Sequence, residues 1–431
     1  NLRGKQPLLC CSQWGGALSA AGYATIDIFP SLKGDQEKMG GIVAVARANG
    51  QRTDDLQQSW LLLSGEMEIA ERLRDSMRAR GFQANATPVN EWCSEIAQKI
   101  DGLNQNGSVR LHVVTEKANK VASAGSSVPN PLQNGLAALA ATVAAEYPGI
   151  WGGLLDVDSL ASDGNLAAAT LPRSHGEEVL RGAAKYKSKV VPLEGMSVKN
   201  SYRFEGACLV TGGFGGMGLL VAERLAQRGV KQLYLLSRSG ESAESGPALA
   251  RIRAHGAQVA AFQCDVSDSG ALSDVLGKVR RHDIPLKGVI HAAGIFADRV
   301  LAKHDWEFFR RVLAPKVKGA WNLHRLTSGM ELDYFVLFSS AARYLRPDAL
   351  ANYNVANSFM DALAQYRVGK NLPAASISWG GWRNVGMAQA LSTRRVGAWN
   401  EVGVSGLEAE TGWDILETII RGGARCGHVL A

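Results

Sequence analysis

The chain of 431 residues lacks the sequence features of metal centres, disulfide-rich secreted proteins and membrane proteins. Its six cysteines show no Cys-x-x-Cys spacing and its eight histidines are dispersed, so we expect no metal site. Cys208 and Cys264 lie in apolar, strand-like segments, which indicates buried, reduced thiols. There is no secretory leader and no apolar run long enough to cross a bilayer, so we expect a cytoplasmic protein without membrane contact.

Charged and aromatic residues are also few and evenly spread. Aromatic residues make up 7% of the chain, charged residues make up 20%, and the net charge is +7. No cluster of Lys and Arg is interleaved with aromatic residues, so we do not expect a nucleic-acid partner. Two interpretations of the positive charge stay open: a solvated basic surface, or a surface that docks an acidic protein partner.

Glycine is abundant, and strand and helix patterns alternate along the chain. The 48 glycines and the 46% of hydrophobic residues suit an α/β protein with two ordinary domains. We predict two Rossmann-like, doubly wound subdomains at residues 51–200 and 201–431. Residues 1–50 are either a linker or the tail of an upstream methyltransferase-like domain, with a helix at 14–21 and strands at 24–29 and 41–47.

The first predicted subdomain has no phosphate-binding turn. Its apolar patterns predict three strands and two helices, at residues 60–63, 109–114, 151–157, 68–80 and 134–146. The first of these strands runs into Ser64-Gly65-Glu66-Met67, where an acidic side chain would repel a phosphate. We therefore expect residues 51–200 to be a structural relic of a nucleotide-binding fold that binds no nucleotide.

The second predicted subdomain carries a glycine-rich turn at Thr211–Gly218. The turn follows the apolar segment Ala207–Val210 and precedes Leu219–Gln227, which has helical periodicity. Strand, glycine turn and helix in this order are typical of a dinucleotide site. Glycine lets the backbone approach a pyrophosphate closely, and the helix start offers free N–H groups. Further strands are predicted at residues 234–236, 259–263, 288–290, 334–338 and 374–378.

The residues after the second strand of this subdomain indicate which dinucleotide binds. An NAD site usually has an acidic side chain here, whereas this chain has Ser237-Arg238-Ser239. A guanidinium pairs well with a 2′-phosphate, so we predict NADPH. Asp265 follows the third strand and can accept from the adenine amino group. The residues predicted to bind the cofactor are Thr211, Gly212, Gly213, Phe214, Gly215, Gly216, Met217, Gly218, Ser237, Arg238, Ser239, Asp265, Val266, His291, Ala292, Ala293 and Gly294.

Four further residues are predicted to carry the chemistry. Ser340 ends the fifth strand, Tyr353 follows it by thirteen positions, and Asn357 lies one helical turn beyond Tyr353 on the same face. Lys316 precedes Ser340 by twenty-four positions. A free phenol has a pKa of about 10, and a nearby cation makes it a better acid at neutral pH. A serine hydroxyl can donate a hydrogen bond to a carbonyl oxygen on which charge develops.

Over residues 51–431 the chain resembles the ketoreductases of modular or iterative polyketide synthases, which are relatives of the short-chain dehydrogenases/reductases. The first half carries the resemblance in Glu146-Tyr147-Pro148 and Trp151–Asp156. In ordinary short-chain reductases a lysine follows the tyrosine by four positions and an asparagine lies upstream. This chain has the two exchanged, as Lys316 and Asn357, and that exchange is the most specific feature of the resemblance.

The resemblance implies a substrate, a cofactor and partners. A β-ketoacyl group would reach the site on the phosphopantetheine arm of an acyl carrier protein and be reduced with NADPH. Lys316, Ser340, Tyr353 and Asn357 would be the catalytic residues, and neighbouring polyketide synthase domains would be further partners. Carrier proteins are typically acidic, which fits the net charge of +7.

Some positions depart from the family pattern. The usual Trp-Gly-Pro-Trp is Trp379-Gly380-Gly381-Trp382, which removes a proline constraint. Where one product class has the motif Leu-Asp-Asp, this chain has Phe296-Ala297-Asp298. Where the opposite class has a tryptophan, this chain has Leu345. Asp298 survives and the tryptophan is absent, so we favour the B-type product with a D-configured hydroxyl. Arg394 and Arg395, in a segment that resembles the mobile lid, are candidates to meet the phosphopantetheine phosphate.

Two other functions were weighed against this one. The first is a catalytically degenerate ketoreductase-like domain that only scaffolds its neighbours. The second is a free-standing short-chain dehydrogenase that acts on a small alcohol. The intact set Lys316, Ser340, Tyr353 and Asn357 disfavours the first, and the relic half disfavours the second.

Overall fold

The computed structural model describes residues 43–48, 59–64, 83–88, 109–121, 128–159, 177–188, 190, 202–345, 348–383, 385–386 and 406–431. These residues belong to one compact unit, residues 40–431. Within these ranges no helix is long and apolar enough to cross a membrane. The helices predicted at 14–21 and 68–80, the strand predicted at 24–29, and Arg394 and Arg395 lie outside the described residues.

The first subdomain contains a seven-stranded mixed sheet. Its elements are β1 (Val43–Ala48), β2 (Ser59–Ser64), β3 (Gln83–Pro88), β4 (Val109–Glu116), α1 (Pro131–Glu146), β5 (Trp151–Val157), β6 (Glu177–Arg181) and β7 (Ala184–Tyr186). The strand order is β3-β2-β1-β4-β5-β6-β7. The central strand β1 runs antiparallel to both β2 and β4, and β7 runs antiparallel to β6.

Strand β1 changes the predicted organisation of this half. It lies within residues 1–50, yet it pairs with β2 on one side and β4 on the other. The predicted boundary at residue 50 therefore falls on the wrong side of β1, which belongs to the sheet and not to a separate linker. The sequence pattern could not show this, because pairing partners are set by tertiary packing and not by the strand's own residues.

The second subdomain contains a seven-stranded sheet in which every pairing is parallel. Its elements are β8 (Ala207–Thr211), α2 (Gly216–Gln227), β9 (Gln232–Ser237), α3 (Gly246–Ala254), β10 (Gln258–Gln263), α4 (Ser269–Arg280), β11 (Leu286–His291), α5 (Trp306–Leu313), α6 (Gly319–Thr327), β12 (Tyr334–Ser340), α7 (Ala342–Leu345), α8 (Ala351–Gly369), β13 (Ala375–Trp379), α9 (Ala409–Arg421) and β14 (Gly427–Leu430). The order β10-β9-β8-β11-β12-β13-β14 reverses between β8 and β11, which is the switch point where doubly wound sheets bind ligands. The predicted α/β class and Rossmann-like architecture are confirmed.

The apolar strands were the most predictable elements. Strand β5 occupies the predicted range and is buried throughout, and β8 to β13 fall within two residues of their predicted bounds. Helix α1 begins three residues before the predicted Asn134. Asn130 caps it by accepting from the N–H groups of Leu132 and Gln133, and Pro131 fits the first turn. Cys208 and Cys264 are buried free thiols, as predicted.

The two subdomains meet along helices α1 and α8. Gly135 on α1 gives α8 room, since a Cβ at Gly135 would lie 3.3 Å from Val355 Cγ1. Asn354 on α8 donates through Nδ2 to Thr142 Oγ1 at 3.2 Å. Arg343 donates through a terminal guanidinium nitrogen to Asn134 Oδ1 at 3.3 Å. Polar contacts therefore cross this interface beside α8, the helix that carries Tyr353.

Candidate active site

The glycine-rich turn lies at the switch point of the second sheet and is fixed by close packing. Gly212 has a φ of 68°, and a Cβ there would lie 2.8 Å from the backbone nitrogen of Ala293, which follows the neighbouring strand β11. A Cβ on Gly213 would lie 2.9 Å from Leu235 Cβ, and one on Gly218 would collide with the Gly212 carbonyl oxygen. These positions accept only glycine without movement of the backbone.

The turn leads into a helix start that no described side chain caps. The N-cap residue Gly215 supplies no side-chain hydrogen bond to α2, and the first turn holds no acidic residue. The first N–H groups of a helix need partners, and the positive end of the helix dipole favours an anion. This arrangement suits a pyrophosphate.

Two adjoining cavities lie along this edge of the sheet. The larger, of about 750 Å³, extends from the glycine turn to Lys316, Ser340 and Tyr353. The smaller, of about 480 Å³, is lined by the residues that follow β9 and β10, among them Arg238 and Asp265. Gly212, Ala293 and Gly294 line both cavities. Together the cavities form an elongated cleft with a basic residue at one end and the tyrosine at the other.

Lys316 reaches the cleft from an unusual backbone segment. Residues Ala314–Lys318 form a π-helical turn between α5 and α6, a distortion that is frequent at functional sites. The Lys316 ammonium is buried and donates to the Phe338 carbonyl oxygen at 2.9 Å. A Cβ on Gly294 would lie 2.7 Å from Lys316 Cε, so a glycine there leaves room for the lysine stem.

Burial controls the charge of this lysine. It lowers the pKa of Lys316 to about 7, and the negative charge of Asp361 opposes the shift. Lys316 Nζ lies 5.6 Å from the centroid of the Tyr353 ring. A lysine that is half protonated near neutral pH therefore lies beside the tyrosine.

Tyr353 lies on the first turns of α8 with its ring buried. Burial raises the pKa of its hydroxyl, whereas hydrogen bonds with the side chains of Ser340 and Asn357 lower it. Phe296 packs edge-on against the ring, with centroids 5.2 Å apart. Asn357 also donates through Nδ2 to the Tyr353 carbonyl oxygen at 2.8 Å, and its buried Oδ1 has no partner within the described part of the chain. Lys316, Ser340, Tyr353 and Asn357 are thus brought together.

Most of the predicted cofactor residues line the cleft, but three are set back from it. Gly213 packs against Leu235, and Phe214 packs against the apolar core. His291 is fully buried, and its Nδ1 lies 2.6 Å from Thr211 Oγ1, which joins β8 to β11 at the switch point. Burial, reinforced by Lys316, lowers the pKa of His291 to about 3, so the imidazole is neutral. Asp265 faces the smaller cavity, and its Oδ1 already accepts from the Ser267 N–H and hydroxyl.

Several groups of the site were not among the predicted site residues. The Phe338 carbonyl, which holds Lys316, is a backbone group and leaves no trace in the sequence. Phe296 and Leu350 form apolar walls of the larger cavity, and Trp379 and Trp382 line it further along. The two tryptophans were noted only as a departure from a family pattern, which was the one available signal.

The described residues fit a nicotinamide dinucleotide. The glycine turn and the uncapped start of α2 suit its pyrophosphate, and the cleft extends on both sides of them. Arg238 and Ser239 are exposed beside the smaller cavity, and Lys316, Ser340 and Tyr353 stand beside the larger one. The polar groups required at each end are therefore present.

Known proteins share this sequence and this fold. Residues 206–384 match the family model described as the KR domain. The chain is 42% identical over 222 residues to polyketide synthase GfsB of Streptomyces halstedii, an alignment that covers 51% of this chain and 4% of that protein. It is 35% identical over 222 residues to the phthioceranic/hydroxyphthioceranic acid synthase of Mycobacterium tuberculosis, which covers 51% of this chain and 10% of that protein.

A solved structure extends the likeness to both subdomains. The first ketoreductase of the tylosin polyketide synthase superposes with a TM-score of 0.71 at 25% identity, covering 91% of this chain and 92% of that one. The curated relatives are much longer proteins, of which this chain spans a tenth or less. Residues 206–384 therefore match the KR domain, and both subdomains share their fold with a ketoreductase of a polyketide synthase.

Proposed function

We propose that this chain reduces a β-ketoacyl group, tethered to an acyl carrier protein, to the β-hydroxyacyl form at the expense of NADPH. One observation carries the proposal: Lys316, Ser340 and Tyr353 share a wall of the cavity that continues into the glycine-rich turn. Hydrogen bonding by the side chains of Ser340 and Asn357 lowers the pKa of the Tyr353 hydroxyl against the rise that burial causes, which favours the tyrosine as an acid.

The proposed chemistry needs a proton at the ketone oxygen and a group that stabilises charge there. A bound nicotinamide cofactor supplies the hydride. Tyr353 donates its phenolic proton to the oxygen, and Ser340 donates a hydrogen bond to the same oxygen as charge develops. The Lys316 cation, beside the tyrosine ring, favours the phenolate that is left behind. Asn357 orients the tyrosine through its side-chain hydrogen bond.

The choice of NADPH rests on Arg238. Its exposed guanidinium follows β9 and lines the smaller cavity between Ser237 and Ser239. A guanidinium forms paired, charge-assisted hydrogen bonds with a phosphate, and this segment holds no carboxylate to bind a free ribose hydroxyl pair. An acidic carrier protein is the proposed partner because the chain has a net charge of +7.

The B-type product, with a D-configured hydroxyl, is part of the proposal. It rests on Asp298, which is exposed on the loop after β11. Phe296, two positions before Asp298 in the same motif, lines the larger cavity, and its ring packs on Tyr353.

The test is consumption of NADPH by the purified chain with a β-ketoacyl thioester of N-acetylcysteamine, and with trans-1-decalone as a surrogate ketone. Reduction of either is expected, with the D-hydroxyl product identified by chiral chromatography. A chain that binds NADPH but reduces neither, even when the thioester is presented on a carrier protein, would instead be a degenerate scaffold. A product of the opposite configuration would overturn only the B-type assignment.

A further inference from the structure

The last residue of α1 reaches from the first subdomain into the second. The Glu146 carboxylate accepts a hydrogen bond through Oε2 from the Leu301 N–H at 2.7 Å. Through Oε1 it accepts a second from the Ala349 N–H at 2.8 Å. Leu301 and Ala349 lie in different loops of the catalytic subdomain, one after β11 and one before α8. A single carboxylate therefore holds both loops.

The loop before α8 needs such support. Ala349 has a φ of 56°, in the left-handed region that residues with a Cβ rarely adopt. A strained backbone persists only where its surroundings hold it. Here the Ala349 N–H is held by Glu146, and its carbonyl oxygen accepts from the Arg299 N–H at 2.8 Å. The two loops are thus joined to each other as well as to Glu146.

The same two segments also supply residues to the wall of the larger cavity. Phe296 lies five residues before Leu301, Leu350 follows Ala349 directly, and Tyr353 follows Ala349 by four positions. The edge-on contact of Phe296 with the Tyr353 ring closes the wall between the two loops. A shift of either loop at Glu146 would therefore move an apolar group against the proton donor.

We propose that Glu146 is a positioning residue for the reduction: it holds the Phe296 loop and the Tyr353 loop in register, and so determines how the ketone is presented to Tyr353. This proposal rests on the proposed ketoreductase function. The first subdomain then contributes a residue to the geometry of the active site without contacting the substrate.

The electrostatics of Glu146 agree with a holding role. Burial raises the pKa of its carboxyl group, and the two N–H donors oppose that shift because they bind the ionised form better. Removal of the carboxylate would leave two backbone N–H groups in the loops without their acceptor, which is costly where water has poor access.

The experiment compares Glu146→Gln and Glu146→Ala with the control Thr142→Val. Glutamine keeps one acceptor oxygen and the side-chain length, whereas alanine removes both acceptors. Thr142→Val is matched because it breaks another contact between α1 and α8, the hydrogen bond to Asn354, without touching either loop. Any loosening of the interface in general would affect the control as well.

Two readouts are measured. The first is hydrogen–deuterium exchange of peptides that cover residues 295–303 and 348–353, which does not depend on activity. The second is steady-state reduction of an α-methyl-β-ketothioester, with the diastereomer ratio of the product. For Glu146→Ala we expect faster exchange in both peptides, KM raised roughly tenfold, a smaller loss in kcat and a mixed product. Glu146→Gln should be intermediate, and the Kd for NADPH should stay within about twofold in both variants.

The outcomes separate this proposal from the proposed function. If the wild type reduces no ketone, the function fails, and the exchange data still decide whether Glu146 holds the loops. Unchanged exchange in Glu146→Ala overturns the proposal, as does an unchanged KM and product ratio in an active enzyme. Equal effects from Thr142→Val also overturn it, since the interface and not the carboxylate would then be responsible. If Glu146→Ala does not fold, Glu146→Gln carries the same comparisons.

Discussion

The two sheets of this chain have the same strand order, but they differ in strand direction and in the residues at the carboxyl ends of their strands. In the second sheet all strands are parallel, so the turn after its central strand β8 lies at the edge where the cleft opens. In the first sheet the central strand β1 is antiparallel to both neighbours. The end of β1 therefore points to the edge opposite to the carboxyl ends of β2 and β4.

The polar side chains at the carboxyl ends of the strands also differ between the two sheets. Asp156, on β5 of the first sheet, is fully buried where the second sheet has the open cleft. Its carboxylate lies 2.7 Å from an Arg181 guanidinium nitrogen and accepts from Thr115 Oγ1 at 2.9 Å and from the Ala118 N–H at 2.7 Å. At this edge the Asp156 carboxylate is paired with Arg181 and with neighbouring hydrogen-bond donors. In the second sheet the corresponding groups, Lys316, Ser340 and Tyr353, face a cavity.

Strand order alone does not make a binding site. The direction of one central strand and the pairing of a few buried polar groups decide whether the edge is filled or open. Within the described residues, the first half has the same strand order, and Asp156 pairs with Arg181 at the edge that is open in the second half. The remaining influence of the first half on the chemistry would pass through the interface of α1 with α8.

The largest effect is expected from removing the Tyr353 hydroxyl in the cleft of the second sheet. Tyr353→Phe removes one oxygen and keeps the ring that packs on Phe296, so the fold and NADPH binding should persist. The rate of reduction should fall by about 10²- to 10⁴-fold, the usual contribution of a positioned acid. Turnover of decalone is the measurement. The matched control is Tyr234→Phe, which removes a buried hydroxyl that has no partner within the described chain and lies outside the cavity. Near wild-type reduction by Tyr353→Phe would show that another group supplies the proton.

The next largest effect is expected from a substitution in the Asp156–Arg181 pair of the first sheet. Asp156→Asn leaves the buried Arg181 without its charge partner, which should lower the free energy of unfolding by about 3–5 kcal/mol. Urea denaturation measures this. Lys185→Gln is the control, because its pair with Glu178 lies at the surface and should contribute less than about 1 kcal/mol. At a temperature where the variant is folded, the Kd for NADPH should be unchanged. A large loss of NADPH affinity would mean that the two edges are coupled.

The sequence predicted the carboxyl edge of the second sheet much better than that of the first sheet. The glycine turn, the apolar strands and the Tyr-x-x-x-Asn spacing are local patterns, and they correctly located β8, α2 and α8. Glu66, on which the expectation of no phosphate in the first half rests, lies outside the described residues. The antiparallel direction of β1 depends on partners that are distant in sequence. Strand β3 was missed because alanine and proline are the only apolar residues of Gln83–Pro88, and both are depleted in strands. The Asp156–Arg181 pair and the Glu146 contacts also join distant residues, so no local pattern could show them.

A smaller effect tests the far end of the open cleft. Arg238→Asp removes the cation beside the smaller cavity and supplies the carboxylate of an NAD site. A charge-assisted hydrogen bond contributes roughly 1.5–3 kcal/mol, so the ratio of NADPH to NADH affinity should fall about ten- to a hundredfold. Fluorescence titration with both cofactors measures the ratio. Arg253→Asp, an exposed arginine on α3 that does not line either cavity, controls for the change in net charge. An unchanged ratio would remove Arg238 from the 2′-phosphate site.

The smallest effect concerns the two buried cations. Arg181 has a carboxylate partner, whereas Lys316 donates to a backbone carbonyl, and burial lowers the pKa of Lys316 to about 7. The lysine is therefore charged below about pH 7 and neutral above it. If its charge assists Tyr353, kcat/KM for NADPH, which reports the free enzyme, should fall by up to about tenfold as the pH rises from about 6 to 8. Lys316→Met should be slower and should lack this decline, while any titration of the cofactor itself would persist in both proteins. A wild-type profile that matches the variant's would show that the proton on Lys316 is not used.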